Sequence, residues 1–350
     1  MTTGPTIELK PDPTAPDCLR MYAGKKVLVT GGTGLIGRYL VRRLLTLGAR
    51  TTVVSLDEAP PPDGYEFVRG DLRDFQFCKS VVTGQQYVFH LVGVKGSVGI
   101  GRSMAASFLV PTLQCNTNVL EASRLAGVER VLYTSTLGVY PPAPVLKEDD
   151  AWTAPPQHAD RYAGWAKRIG ELQVQAYKEQ YNWCPIAIVR PANVYGPGDN
   201  FDPKTAMVVP ALIARTASGE NPLCVWGDGK AVRDFIFSDD VARGMLLAVA
   251  LAADGTPINL GSGKGISIRE AVETIVASAG GTTRITWDTS KPTGEDVRVL
   301  DVARARERLG FQCLYSFREG IERTVQWYRA AGSERHGRYN VFYEAPGAKG

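Results

Sequence analysis

The chain has 350 residues, 44% of them hydrophobic, enough to bury a large core as one big domain or two coupled ones. Its 40 Lys and Arg against 36 Asp and Glu leave a net charge of +4, and the basic residues are scattered, which argues against a nucleic-acid partner. No apolar run reaches the roughly 20 residues that cross a bilayer, and the opening stretch lacks a signal peptide's apolar centre, so a soluble, cytoplasmic protein with no membrane partner is expected.

Residues 1–24 are Pro-rich and polar, and read as an extension laid over the surface or mobile, with no chemistry assigned to it. From Lys25 on, short β-branched runs alternate with amphipathic stretches, the pattern of a parallel sheet wrapped by helices. The strand candidates are KVLVT, TTVVSL, YEFV, YVFHLV, RVLYTST and PIAIVR. Between them, apolar residues at three and four spacing predict helices from Leu35 to Leu47, Pro111 to Leu125 and Trp165 to Tyr181. After Pro191 the loop PANVYGPGDNFDPK leads into shorter elements, and a last helix is predicted from Ser316 to Arg329.

Cys18, Cys78, Cys115, Cys184, Cys224 and Cys313 form no C-x-x-C and read as reduced thiols behaving as small hydrophobes. His90, His158 and His336 have no ligand spacing, so no metal is expected, and His90, after an apolar run, reads as a satisfied core histidine.

The buried strand Val27 to Thr30 feeds Gly31-Gly32-Thr33-Gly34-Leu35-Ile36-Gly37, which opens a helix. Gly31 permits a tight turn, Gly34 lets the backbone approach a pyrophosphate, and Gly37 lets helix and strand pack closely. The helix N-terminus then faces the anion. Strand before, helix after and an acid about 20 residues on make this a dinucleotide loop. The fold expected is therefore α/β: a Rossmann-type doubly wound parallel sheet over 25–190, with 234–262 returning to it. A smaller C-terminal substrate-binding lobe lies mainly in 191–330, and 331–350 is a tail. Asp57 ends the second strand, where a carboxylate accepts from the adenine ribose 2′-hydroxyl and repels a 2′-phosphate, which favours NAD over NADP. A solvated strand-end acid is the alternative, and Arg38 offers a phosphate partner. Asp71, after the third strand, is either a turn former or a contact to the adenine edge.

With these motifs, and with GDL, FHLV, VLYTSTLGVY, RPANVYGPGDNF, VWGDGKAVRDFIFSDDVA, NLGSG and KPTGEDVRVLD, the chain resembles the extended short-chain dehydrogenase/reductase family over roughly residues 25–330. Within it the likeness is to nucleotide-sugar epimerases, dehydratases and GDP-fucose synthases. The resemblance implies NAD along Gly31, Gly34, Leu35, Ile36, Gly37, Asp57, Asp71, Leu72, Leu91, Lys167 and Pro191. It also implies a catalytic hydroxyl at Thr136, with Ser135 its neighbour, and a Tyr four residues before Lys167 whose pKa that lysine lowers. That position holds Ala163. Tyr162 is one residue early, and one residue turns a side chain about 100° around a helix. Three readings follow: a substitution that traps a complex, a naturally silenced or altered enzyme, or a shifted tyrosine.

Leu137-Gly138 stands where the dehydratases have an Asp-Glu pair, which disfavours dehydration. Gly138 and Met207 replace the Cys and His by which GDP-fucose synthases epimerise two carbons, which disfavours that chemistry too. The second half still looks most like those synthases. By that likeness Asn193 and Val209 lie near diphosphate and base, Trp226 is an apolar wall, Arg233 and Arg298 clamp the pyrophosphate, and Lys95 reaches the sugar. What remains is NAD-dependent chemistry at C4 of a GDP- or UDP-linked sugar: 4-epimerase or C4 oxidoreductase, with 4-ketoreductase as the alternative. A binding protein with little catalysis is the rival that Ala163 supports; a steroid- or flavonoid-type reductase would not need the arginine clamp. The family also implies a homodimer through helices near 103–126 and 158–180, with Phe108, Leu109, Leu113, Leu172 and Val174 as extra apolar positions.

Overall fold

In the computed structural model, which describes residues 7–12, 17–57, 64–94, 104–202, 204–291 and 295–332, the β-branched runs pair into a parallel sheet. The first part of the chain gives β1 Lys26–Thr30, α1 Leu35–Thr46, β2 Arg50–Ser55, β3 Glu66–Arg69, α2 Phe75–Val82, β4 Tyr87–His90 and α3 Ala105–Leu125. Next come β5 Arg130–Thr134, β6 Val145–Leu146, α4 Arg161–Tyr181, β7 Ile186–Pro191, β8 Asn193–Tyr195 and α5 Val208–Ala217. The rest gives β9 Leu223–Trp226, β10 Val232–Phe237, α6 Ser238–Leu251, β11 Pro257–Leu260, β12 Gly265–Ser267 and α7 Ile268–Ser278. β13 Ile285–Asp288, β14 Val297–Leu300, α8 Ala303–Leu309 and α9 Phe317–Ala330 close the described chain.

The main sheet has seven strands in the order β11-β7-β5-β4-β1-β2-β3, with every pairing parallel. Its strands are apolar on both faces, as a sheet covered twice requires. Val27, Val29, Val53, Phe89 and Leu132 share one core with α1 and α6; Leu28, Val54, Val88 and Val131 share the other with α2, α3 and α4. Each such fully buried side chain contributes about 1.5–3 kcal/mol. The strand order reverses between β1 and β4, and ligands of such sheets bind at the carboxyl ends of the strands at that reversal.

The smaller sheets are built on β10, which pairs with β8 and β14 in parallel and with β12 antiparallel; β14 in turn carries β6. Of residues 234–262, then, α6 and β11 join the large layer, whereas β10 belongs to the smaller one. β9 and β13 form a separate parallel pair.

Three sequence expectations need correction. Of the two readings of the N-terminal extension, mobile fails and laid over the surface holds for its described residues, which are anchored: Tyr22 is fully buried and its hydroxyl donates to the Leu246 carbonyl at 2.7 Å, while Asp12 and Arg243 form a buried ion pair at 3.0 Å. α3 starts at Ala105 and runs through Pro111, because burial of Phe108 offsets the N–H that proline lacks. α4 starts at Arg161, not Trp165, since buried Gly164 docks the added turn closely against the Gly138 carbonyl and Pro156.

Candidate active site

Gly31 leaves β1 with a φ of +70°, a left-handed conformation that a side chain resists. A Cβ on Gly37 would collide with the Gly31 carbonyl and lie 2.6 Å from Gly32 Cα, so only glycine lets α1 close on the loop. Gly34 caps α1 without any side-chain bond, and no acid sits in its first turn, so Leu35, Ile36 and their neighbours present open N–H groups. Asp57 accepts from Thr33 Oγ1 at 2.6 Å, and Arg38 Nε donates to the Thr33 carbonyl at 2.7 Å, which puts both groups at the loop's rim. Asp71 is held by Arg73 at 2.5 and 2.8 Å, so an adenine contact would have to share this carboxylate. Leu72 is buried beside it, the Leu91 N–H donates to Thr30 Oγ1 at 3.2 Å, and Pro191 ends β7 in the core. These residues fit a dinucleotide: a bare helix terminus, room for a backbone approach and a ribose-side carboxylate.

Beyond the end of β4, Lys167 of α4 reaches over the sheet. Its Nζ donates to the Val92 carbonyl at 3.1 Å and to Asn116 Oδ1 at 3.4 Å, and burial pushes its pKa down to about 8. His90 bridges Thr30 Oγ1 at 2.8 Å and Asn116 Oδ1 at 3.0 Å; burial, aided by the Lys167 charge, holds its pKa at about 3. It is a neutral, satisfied core histidine. Asn116 was not singled out in the sequence, although a polar residue on the inward face of an apolar helix is a signal.

Ser135 and Thr136 part company at the end of β5. Ser135 Oγ donates to Glu171 Oε1 at 2.5 Å, and Glu171 is locked to Arg190 at 2.6 and 2.9 Å, all three being buried. Among the described residues Thr136 Oγ1 accepts only the Gly138 N–H, at 3.2 Å, and Thr136 stays half-buried. The buried Glu171–Arg190 pair was also missed, though an arginine inside PIAIVR should have asked for a partner. On α4, Ala163 stands one turn before Lys167. Tyr162 is 39% exposed and its ring lies 5.8 Å from the Arg161 guanidinium, so the helix turns it outward.

Arg233 and Arg298 are cross-strand partners on β10 and β14. Arg298 donates to Asp160 Oδ2 at 2.9 Å and to the Leu137 carbonyl at 3.2 Å, so the second lobe is tied to the start of α4. Burial and the Arg298 charge both push the Arg233 pKa down. Asn193 Nδ2 donates to the Asp234 carbonyl at 2.8 Å. Val209 has its side chain in the core, so it offers a ligand only its N–H in the first turn of α5. Trp226 is 63% exposed, an open face beside a cavity of about 470 Å³ lined by Gly227, Lys230, Lys291 and Asp296. Lys95 lies outside the described residues.

α3 and α4 pack together and leave Val110, Leu125, Ile169 and Leu172 exposed. Phe108 and Val174 are not on that surface: both are buried, Val174 on the helices' own core. Among the described residues all six cysteines are free, no cluster of His, Cys, Asp or Glu could hold a metal, and no helix is long and apolar enough to cross a membrane.

The profile of the NAD dependent epimerase/dehydratase family matches residues 27–261. The chain is 34% identical to a UDP-glucose 4-epimerase of Mycolicibacterium smegmatis, over 87% of this chain and 98% of that protein. It is 30% identical to a probable GDP-L-fucose synthase 1 of Oryza sativa subsp. japonica, over 87% of this chain and 92% of the relative. A UDP-glucose 4-epimerase of Thermotoga maritima, solved with UDP-glucose, superposes with a TM-score of 0.76 at 27% identity, covering 87% of this chain and 98% of that one.

Proposed function

Because the chain belongs to the NAD dependent epimerase/dehydratase family, we propose that it is an NAD-dependent enzyme acting at C4 of a GDP- or UDP-linked sugar, as a 4-epimerase or C4 oxidoreductase passing through a 4-keto sugar. One observation carries the reading: the open glycine loop, buried Lys167 and Thr136 follow β1, α4's first turns and β5 at the carboxyl end of the sheet, and Arg233 and Arg298 stand side by side on β10 and β14, with Arg298 reaching the Leu137 carbonyl next to Thr136. A neutral substrate would have no use for that pair, whereas a pyrophosphate meets guanidinium forks bidentately.

In this reading Gly31, Gly34 and Gly37 admit the pyrophosphate of NAD, Asp57 takes the adenine ribose, and Lys167 the nicotinamide ribose. Bound there, NAD supplies the hydride acceptor for sugar C4. Thr136 hydrogen-bonds the C4 oxygen, Arg233 and Arg298 hold the sugar's diphosphate, and Asn193, the Val209 N–H and Trp226 surround the nucleotide. Lys95 reaches the sugar. Position 163 brings no proton acceptor, so turnover depends on another group taking the proton while binding is intact; a nucleotide-sugar-binding role with little catalysis is the second reading that Ala163 favours. If reduced cofactor is supplied from outside, the same groups serve a 4-ketoreductase. The exposed apolar residues of α3 and α4 support a homodimer, and the free thiols and NAD use fit the cytoplasm.

Native mass spectrometry with NAD and, separately, UDP-glucose and GDP-mannose tests this. A ternary complex with one of the sugars is expected. Binding of NAD alone, with every nucleotide-sugar refused, would overturn it.

A further inference from the structure

Ala163 removes a proton acceptor, and the neighbouring side chains determine what remains to do its work. Asp160 caps α4, three residues before Ala163 and seven before Lys167, on the same helix face. A Cβ on Gly138 would lie 3.2 and 3.4 Å from the Cβ and Cγ of Asp160, and 3.4 Å from Cγ2 of Thr136. The aspartate and the threonine therefore flank the space that Gly138 leaves open, and any side chain at 138 would push Asp160 away.

The carboxylate is also held by one oxygen only. Gln157 Nε2 at 2.5 Å and Arg298 at 2.9 Å both donate to Oδ2, and among the described residues none donates to Oδ1. The Asp160 side chain keeps 31% exposure while Arg298 keeps 9%. An arginine assigned to a diphosphate is thus engaged by an internal anion beside Thr136.

We propose that Asp160 is the proton acceptor for the sugar's C4 hydroxyl in this chain, released toward Thr136 when a substrate diphosphate takes Arg298. This rests on the reading above. The C4–H bond breaks with its electron pair passing as hydride to NAD⁺, the C4–O bond becomes a carbonyl, and the hydroxyl proton passes to the Asp160 carboxylate. The reverse transfer reduces the ketone and returns the proton.

The test measures turnover of nucleotide-sugars with NAD, and UDP or GDP binding by calorimetry, for the full chain, Asp160→Asn, Ala163→Tyr and the double variant. Loss of a positioned base lowers kcat of Asp160→Asn by on the order of a hundred-fold or more, while KM and nucleotide affinity do not weaken, since Arg298 loses one of its two internal carboxylates among the described residues and keeps only Glu295 at 3.3 Å. In the Ala163→Tyr background the same change lowers kcat less than about ten-fold, because the phenol then takes the proton. Equal losses in both backgrounds, weakened nucleotide binding, or a chain with no turnover at all beside an active Ala163→Tyr would overturn the role of Asp160 and leave the nucleotide-sugar reading standing. No turnover by any of the four, with no nucleotide binding, would sink that reading and this inference together.

Discussion

Restoring a phenol at position 163 is the most direct probe of the crevice. Ala163→Tyr places the hydroxyl one turn before Lys167, on the face that Tyr162 misses by about 100°. Lys167 has its pKa lowered to about 8 by burial, so at pH 7 it is about nine-tenths charged, and that charge favours the phenolate. Once Asp160→Asn has removed the competing acceptor, a positioned base is worth about a hundred- to ten-thousand-fold in rate, or about 2.7–5.4 kcal/mol at 1.36 kcal/mol per decade; with Asp160 present the gain is smaller, because one base replaces another. The gain should appear in kcat with KM little changed, because the groups assigned to binding are untouched. Steady-state kinetics by cofactor absorbance, paired with calorimetric nucleotide affinity, reads this out. The gain should shrink above pH 8, where Lys167 loses its proton. If Ala163→Tyr leaves the rate unchanged while Tyr162→Phe abolishes it, the helix-face argument is wrong.

Other changes address the supports of the site. Gly37→Ala forces its Cβ against the Gly31 carbonyl and Gly32, and should weaken NAD binding by on the order of ten- to a hundred-fold in calorimetry; unchanged affinity would mean the loop can yield. Asp57→Ala should raise NADP affinity relative to NAD, a ratio measured by fluorescence titration, and an unaltered ratio would move selectivity elsewhere. Glu171→Ala leaves Arg190 as an unpaired buried charge and should destabilise the fold by about 3–5 kcal/mol in urea unfolding. Lys167→Met should abolish catalysis yet stabilise the protein at pH 7 by up to about 3 kcal/mol, because the unfolded chain holds this proton to about 10.5 and the native one only to about 8. The unfolded state binds more protons in that window, so the parent's stability gains with pH and the variant's advantage should fade between pH 8 and 10.5; an advantage that grows instead would refute the assigned shift.

The large sheet was readable because its signals are local. Strand runs such as KVLVT carry their own β-branched pattern, and the glycine loop follows directly from β1. The roles of Lys167, Thr136 and position 163 came from the family resemblance, which is carried by motifs lying in one stretch of chain. What escaped were long-range pairings. Arg298 meets Asp160 across 138 residues of sequence, and Glu171 meets Arg190 only after α4 is laid on the sheet. Phe108 and Val174 looked like surface residues because helical periodicity gives a face but not its neighbour, and here both faces of α3 and α4 are partly apolar. The anchoring of the N-terminal segment was illegible for a related reason, since Lys10 and Asp12 find their partners, Glu319 and Arg243, 309 and 231 residues further along the chain.

That segment behaves as a charge plug. Lys10 bonds Glu319 at 3.0 Å and the Leu314 carbonyl at 2.7 Å, the Ile7 carbonyl receives Arg42, and Asp12 neutralises Arg243, whose side chain is 4% exposed. Trimming an expression clone back to Lys25, as composition alone would advise, strands one guanidinium in a dry interior between α6 and the stretch before α9. Such a truncation should express poorly or aggregate on warming for reasons unrelated to the active site. A shortened clone that also carries Arg243→Met should recover much of the lost solubility.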